Sequence, residues 1–223
     1  MKISVIIPTL NEASYIAEAV QKAELAGANE VIVADGGSTD ETVSILASSN
    51  CLIVQAETGR GNQLNAGAAL ATGDFFLFMH ADNYLPSDGC DEIRAAVSAN
   101  PEIRCGAFKQ KIVSDKAVYR MIEFGNARRI AWLGMAYGDQ GIFVSRELFA
   151  SVGGFDAIPL MEDFGFSRKL RAAKEKYYLC EGPVMVNPRR WESNGPIKQT
   201  FANWLMICKY LCGADAAELA KRY

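Results

Sequence analysis

Four short apolar runs open this 223-residue chain, and three of them lead within a few residues into a carboxylate. Ile3-Ser4-Val5-Ile6-Ile7 leads into Pro8-Thr9-Leu10-Asn11-Glu12, and Val31-Ile32-Val33 into Asp35-Gly36-Gly37-Ser38-Thr39-Asp40. The run ending at Met79 leads into His80-Ala81-Asp82. The fourth, Leu52-Ile53-Val54, is followed by Gly59-Arg60-Gly61, which offers a cation instead. Acids gathered on one rim repel each other unless a cation or ligand donors balance them. A divalent metal with a diphosphate supplies that balance, and oxygen donors suit Mg²⁺ or Mn²⁺. Arg60 can reach a phosphate or a base. A further pair, Glu162-Asp163, opens a helical pattern. It is either an ordinary acidic first turn, favoured by the helix dipole, or a source of a general base. Adjacent helical residues point about 100° apart, so only one of the two can face a given reacting centre.

Such chemistry needs an element order that brings the run ends together. Residues 3–7 read as a strand ended by Pro8. Ile16, Val20 and Ala23 recur at helical spacing, and residues 31–33 form the next strand. Ser38 and Glu41 fit a capping box for a helix carrying Val43 and Leu46. Strands at 52–54 and 75–79 flank a helix over 61–71. The β-α alternation predicts an α/β fold: a mainly parallel sheet flanked by helices, with ligands outside the carboxyl ends of the strands. The second half reads as a strand over 103–114, a helix over 116–130, a short strand over 141–144, a helix over 162–173 and one or two strands over 177–186. Asp139-Gln140, just before the short strand, can touch a sugar or acceptor or simply make a turn.

No repeat, low-complexity segment or linker interrupts the chain. One domain over 1–223 is expected, with a nucleotide-binding half (1–82), an acceptor and catalytic half (83–195) and a C-terminal helical segment (196–223). In that segment Ile197, Phe201, Leu205 and Cys208 share a helix face. This face is expected to pack on the core or form an acceptor-side surface, with peripheral membrane contact as the alternative. The helix is too short and too polar to span a bilayer.

Half the residues are apolar, enough for a substantial core. Lys and Arg total 23 against 26 Asp and Glu, a net charge of -3, which argues against nucleic acid as the main partner. Six scattered cysteines with a single histidine make a structural zinc site a poor fit and suit small buried hydrophobes in a reducing compartment. Residues 3–7 are too short for a leader or a span, and a cytoplasmic location is expected. Gly59-x-Gly61 is not a dinucleotide fingerprint, because Leu64 holds the third glycine position and the element follows the third strand.

Taken together, these motifs resemble the family 2 glycosyltransferases, which have the GT-A fold, a single Rossmann-like domain. The resemblance runs over residues 3–174 and includes Leu64-Asn65-Ala66-Gly67, Ala71-Thr72-Gly73-Asp74, Gly153-Gly154-Phe155 and Glu162-Asp163, with a tail at Arg190-Trp191. It implies an inverting, metal-assisted transfer from a nucleoside-diphosphate sugar, taken as a UDP sugar, to an acceptor hydroxyl. Pro8, Thr9, Leu10, Glu12 and Asp35 are then expected to hold the nucleoside. The family's D-x-D motif falls on His80-Ala81-Asp82, where His80 departs from the pattern and Asp82 is the expected metal ligand. Asp163 is the expected base, with Glu162 orienting the acceptor or capping the helix. Arg190-Trp191 resembles the basic-aromatic motif of processive relatives, with Asn187 where those carry glutamine: the arginine can clamp phosphate, and the indole can stack on sugar or pack on the core. Two other readings are weaker. A sugar nucleotidyltransferase wants a glycine-rich basic loop after the first strand, and none is there. A binding module without turnover is expected to lose Asp82 or Asp163, and both are present.

Overall fold

Successive side chains of the first strand enter two different hydrophobic clusters, so its two faces can be assigned from the core each one joins. In β1 (Ile3–Thr9), Ile3, Val5 and Ile7 join one hydrophobic cluster and Ile6 the other. The same period-2 split recurs in β2 (Glu30–Asp35) and β4 (Phe75–Phe78), so the sheet is buried on both sides. The computed structural model describes residues 1–221. Between these strands run α1 (Ile16–Leu25), α2 (Thr42–Leu46), β3 (Leu52–Gln55) and α3 (Arg60–Leu70). The second half continues with β5 (Asn83–Tyr84), α4 (Gly89–Ala99), β6 (Cys105–Ile112), α5 (Ala117–Leu133), β7 (Ile142–Ser145) and α6 (Arg146–Ser151). Then come α7 (Glu162–Ala172), β8 (Tyr178–Val186), α8 (Arg189–Asn194), α9 (Pro196–Leu211) and α10 (Ala216–Ala220).

The strands form one sheet in the order β3-β2-β1-β4-β7-β6-β8-β5. The first four are parallel, so their carboxyl ends share one edge. Beyond β4 the sheet is mixed: β7 is antiparallel to β4 and β6, whereas β6 and β8 are parallel. The expected parallel sheet is thus concentrated in the first half. Residues of α1 and α4 cover one face, and residues of α3, α6 and α7 the other. Gly67 lets α3 lie close, since a Cβ there would sit 2.5 Å from Ile6 Cγ2.

Several sequence expectations shift on the structure. Pro8 does not end the first strand; it pairs with Ala34 inside β1. Ile6 O accepts from Met79 N while Thr9 O accepts from Gly36 N, so even positions of β1 face β4. Pro8 falls beyond the end of β4, where its missing N–H leaves no ladder bond broken. The Ser38–Glu41 capping box does not form, because Ser38 is drawn back to Asp35. Asp40 accepts from Thr42 N at 3.0 Å instead. The segment over 177–186 is a single strand with a register shift against β6.

The largest correction concerns α9. Its Ile197, Phe201, Leu205 and Cys208 face, expected against the core, is exposed. The buried side is the opposite one: Gln199 is enclosed, and Met206, Ile207 and Tyr210 pack on Leu160, Met161 and Phe164. Cys208 and Cys212 are exposed too, contrary to the expectation of buried cysteines, whereas Cys90, Cys105 and Cys180 are buried as expected. Residues 222–223 of the expected 196–223 segment lie outside the described residues. Among the described residues no helix is long and apolar enough to cross a membrane.

Candidate active site

The carboxyl ends of β1 and β4, with the loop after β3, form one wall of a cavity of about 480 Å³. The wall carries Pro8, Thr9, Leu10 and Glu12 from the first loop, Thr58, Gly59, Arg60 and Gln63 around the start of α3, and His80, Ala81, Asp82 and Asn83 after β4. Buried Gln63 locks two strand ends together by donating to Thr9 O at 2.6 Å and Ala34 O at 3.0 Å. The facing wall comes from the second half. It has Tyr137 and Asp139 ahead of β7, Leu160, Met161, Asp163 and Phe164 at the start of α7, Arg189, Arg190 and Trp191 of α8, and Gln199, Asn203, Met206 and Ile207 of α9.

Charge across the cavity is organised by Arg189. Its Nη1 and Nη2 donate to Glu12 at 3.1 and 2.9 Å, and its Nε stands 2.9 Å from Asp82 Oδ2. A bidentate carboxylate pair of this kind is geometrically specific. It ties α8, which opens where β8 ends, to the loops after β1 and β4. Burial raises the pKa of Asp82; the Arg189 charge opposes this and Glu12 adds to it. Burial, followed by the charges of Arg60, Arg190 and Arg189, holds His80 down to about 3. His80 is therefore neutral near pH 7, and the three guanidiniums face a site with one negative charge fewer than a second carboxylate would give.

The base candidates sit where the chain is under conformational constraint. Met161, just before α7, has φ +70°, uncommon for a residue with a Cβ. This turn starts α7 with Glu162 and Asp163 diverging. Asp163 Oδ2 accepts from Gly138 N at 2.7 Å and Oδ1 from Phe164 N at 2.6 Å, and Asp163 lines the cavity. Gly138 has no room for a side chain, since a Cβ would stand 2.4 Å from His80 Nε2 and 3.4 Å from Asp163 Oδ2. Glu162 is 1% exposed, pairs with Arg60 at 3.5 Å, and does not line the cavity. Burial and the neighbouring Asp163 charge push its carboxyl up to about 7, against the pull of Arg60. Asp139 is also raised, by burial first and by Asp163 and Asp82 next, with Arg129 opposing. Its buried Oδ1 has no hydrogen-bond partner among the described residues.

The cavity therefore gathers Pro8, Thr9, Leu10, Glu12, Arg60, Ala81, Asp82, Asp139, Asp163, Arg190 and Trp191. Two expected site residues stand apart from it, Glu162 and Asp35. Asp35 is 1% exposed, and its carboxylate accepts from Gly37 N, Ser38 N and Gln55 Nε2 at 3.0 to 3.1 Å. Burial works against its charge, yet the Ser38 hydroxyl and these donors hold its pKa below the ordinary value. Asp35 thus shapes the turn beside the cavity. Trp191 belongs to the main core, edge-on to Tyr119 at 6.2 Å, and still reaches the lining. Sequence reasoning missed Arg189, because Arg190-Trp191 drew the assignment to the second arginine. It also missed Tyr137, Gln199, Asn203, Met206 and Ile207. The last four recur at i, i+4, i+7 and i+8, a signal hidden by the more apolar stripe on the other side of the same helix.

Among the described residues no three His, Cys, Asp or Glu side chains come together as a metal cluster. Mg²⁺ at phosphate sites takes one or two carboxylates together with substrate oxygens and water. Asp82, with Glu12 held by the same Arg189, offers the one or two carboxylates of that pattern, so the residues present suit a cation that arrives with a diphosphate.

Comparison with known proteins follows the same lines. The sequence model described as Glycosyl transferase family 2 matches residues 4–153. A PGL/p-HBAD biosynthesis glycosyltransferase of Mycobacterium bovis (strain BCG / Pasteur 1173P2) is 38% identical over 91 residues, covering 37% of this chain and 36% of the relative. The chain thus aligns with little more than a third of that relative's length. Staphylococcus aureus TarS 1-349 in complex with UDP-GlcNAc superposes with a TM-score of 0.65 at 22% identity, covering 84% of this chain and 58% of that one. Mannosyltransferase PcManGT from Pyrobaculum calidifontis, in complex with GDP-Man and Mn²⁺, gives 0.67 at 22% identity, covering 96% and 65%. At such identities the likeness is one of fold. With the family's sequence model matching well over half of its length, this chain belongs to glycosyl transferase family 2.

Proposed function

We propose that the chain transfers a glycosyl group from a nucleoside-diphosphate sugar, a UDP sugar in the first instance, to an acceptor hydroxyl with inversion. The observation that supports this reading is a single cavity lined by Asp82, Asp163 and three guanidiniums, one of which, Arg189, stands 2.9 Å from Asp82. The nucleotide-binding half, residues 1–82, supplies Pro8 to Glu12 and Arg60 for the nucleoside and diphosphate. Asp35 acts on the donor through the turn it holds. When bound at Asp82, Mn²⁺ or Mg²⁺ supplies charge neutralisation at the diphosphate. Arg60, Arg189 and Arg190 offset the charge that grows on the leaving group as its bond to the anomeric carbon breaks. Asp163 takes the acceptor hydroxyl's proton as that oxygen attacks the anomeric carbon from the opposite face. The amide of Gly138 orients the Asp163 carboxylate. Glu162, turned toward Arg60, keeps that arginine on the donor side.

The acceptor end of the cavity is lined by Leu160, Met161, Phe164, Met206 and Ile207. This supports an acceptor with an apolar portion next to its reacting hydroxyl. The reading is tested by incubating the protein with a panel of nucleotide sugars and Mn²⁺ and following nucleoside-diphosphate release. Slow, metal-dependent release from at least one donor is expected. A protein that binds and hydrolyses no donor in the panel counts against transfer.

A further inference from the structure

Helix α9 has two apolar faces, and the fold uses one of them. Its inner residues, including Met206 and Ile207, line the cavity. Its outer stripe of Ile197, Phe201, Trp204, Leu205, Cys208 and Leu211 is exposed, with Phe201 69% and Trp204 70% accessible. The spacing i, i+4, i+7, i+8, i+11, i+14 makes this a continuous stripe along the helix. Large contiguous apolar patches on a protein surface mark interaction sites. We propose that the outer face of α9 lies flat on the surface of an anionic lipid bilayer.

Charge selects this occupant. The chain as a whole is net negative, yet α9 contains no Asp or Glu and carries Lys198 and Lys209. At about 100° per residue both lysines fall on the same flank of the stripe, roughly 80–100° from its centre. That is the headgroup level for a helix lying in the interface, where lysine stems run along apolar surface and the ammonium reaches phosphate. Trp204 and Phe201 are the residue types that anchor at this depth. A second copy of the chain is a poorer occupant. A two-fold pairing of α9 would bring lysines toward lysines with no carboxylate on the helix to answer them. The acids nearest in sequence, Glu192, Asp215 and Glu218, belong to α8 and to the α10 segment. Nor can the helix insert across the bilayer: 16 residues span about 24 Å, short of the roughly 30 Å hydrocarbon core. A second exposed patch, in which Arg128 lies 4.1 Å over the Phe124 ring and 4.7 Å over Trp132, has the same cation-aromatic make-up on α5. Docking would bring the Met206–Ile207 wall of the cavity within about one helix diameter, roughly 10 Å, of the lipid.

The test is flotation of the full chain with mixed phosphatidylcholine–phosphatidylglycerol vesicles and with pure phosphatidylcholine vesicles. Binding is expected on the anionic vesicles, weaker at high salt and slight on phosphatidylcholine. Phe201→Ser with Trp204→Ser should lower the partition coefficient at least about tenfold while leaving UDP affinity unchanged. Lys198→Glu with Lys209→Glu should remove the preference for phosphatidylglycerol. Should the double serine variant fail to fold, Trp132→Phe leaves Trp204 as the exposed indole, since Trp191 is buried. Its emission should then shift to the blue on anionic vesicles. Equal flotation of wild type and a folded serine variant overturns the proposal, as does an unshifted Trp204 spectrum. So does a wild-type dimer in solution that the serine variant dissociates. Because UDP binding is read in the same samples, failure of docking and failure of the donor reading are separable.

Discussion

The two walls of the cavity are built in different ways. The strand-end wall is tied down from beneath: β1 is buried along its whole length, Gln63 bonds two strand carbonyls, and Asp35 is saturated by its own turn. Its polar groups are placed by backbone that cannot move without breaking the sheet. In the helical wall α7 is anchored in the sheet core through Phe166 and Leu170, whereas α9 is held by packing from one side only, with apolar side chains toward the cavity and toward the outside as well. A donor of constant chemistry suits the first construction. A variable acceptor and a docking surface suit the second. Substitutions in the strand-end wall and on the inner face of α9 should therefore separate donor binding from acceptor binding.

Asp163→Asn has the largest expected effect. It keeps the side chain's shape and removes proton acceptance, so turnover should fall by on the order of 10²–10⁴-fold with donor affinity retained. Glu162→Gln is the paired control and should keep most activity, because Glu162 does not line the cavity. A dead Glu162 variant beside an active Asp163 variant would reverse the roles. Next comes Gly138→Ala, which forces a Cβ against His80 and Asp163. A stability loss of about 1–3 kcal/mol is expected in denaturant unfolding, together with impaired turnover. An unperturbed variant would mean that this junction is loose.

Met206→Ala probes the helical wall. Once an acceptor is in hand, its KM should rise roughly three- to tenfold while UDP affinity stays constant. Equal losses for donor and acceptor would erase the distinction between the walls. The smallest effect concerns pH. The Glu162 carboxyl titrates near 4.5 when unperturbed and is raised to about 7 in the folded chain, so the native state holds its proton more tightly. That contribution to stability is complete below about pH 4.5 and fades as pH rises through about 7. Glu162→Gln should flatten the melting temperature over this window. A profile as steep as wild type would assign the slope elsewhere.

The strand-end wall was largely legible from sequence because its signals are local. Apolar runs of three to five residues followed by Glu12, Arg60 or Asp82 reveal both the strand and what hangs from its end. Pro8 misled because whether a proline ends a strand depends on the neighbouring strand's length, which sequence does not display. Ser38 misled because its hydroxyl donates to the buried Asp35 carboxylate and accepts from Asn11 N, and so does not accept from the helix end. Arg189 was hidden by Arg190: only the direction in which α8 leaves β8 decides which guanidinium bridges Glu12 and Asp82. The inner face of α9 was missed because periodicity reports an apolar stripe without saying which way it points, and here the stronger stripe points out.

The central claim is that Asp82 and the guanidiniums around it form a diphosphate site. Calorimetric titration of UDP into wild type and Asp82→Ala, with and without Mn²⁺, tests it most directly. The account predicts UDP binding to wild type that weakens without Mn²⁺, and an Asp82→Ala protein that stays folded but has lost the Mn²⁺ dependence. Mn²⁺-dependent UDP binding of wild-type strength in Asp82→Ala would contradict it.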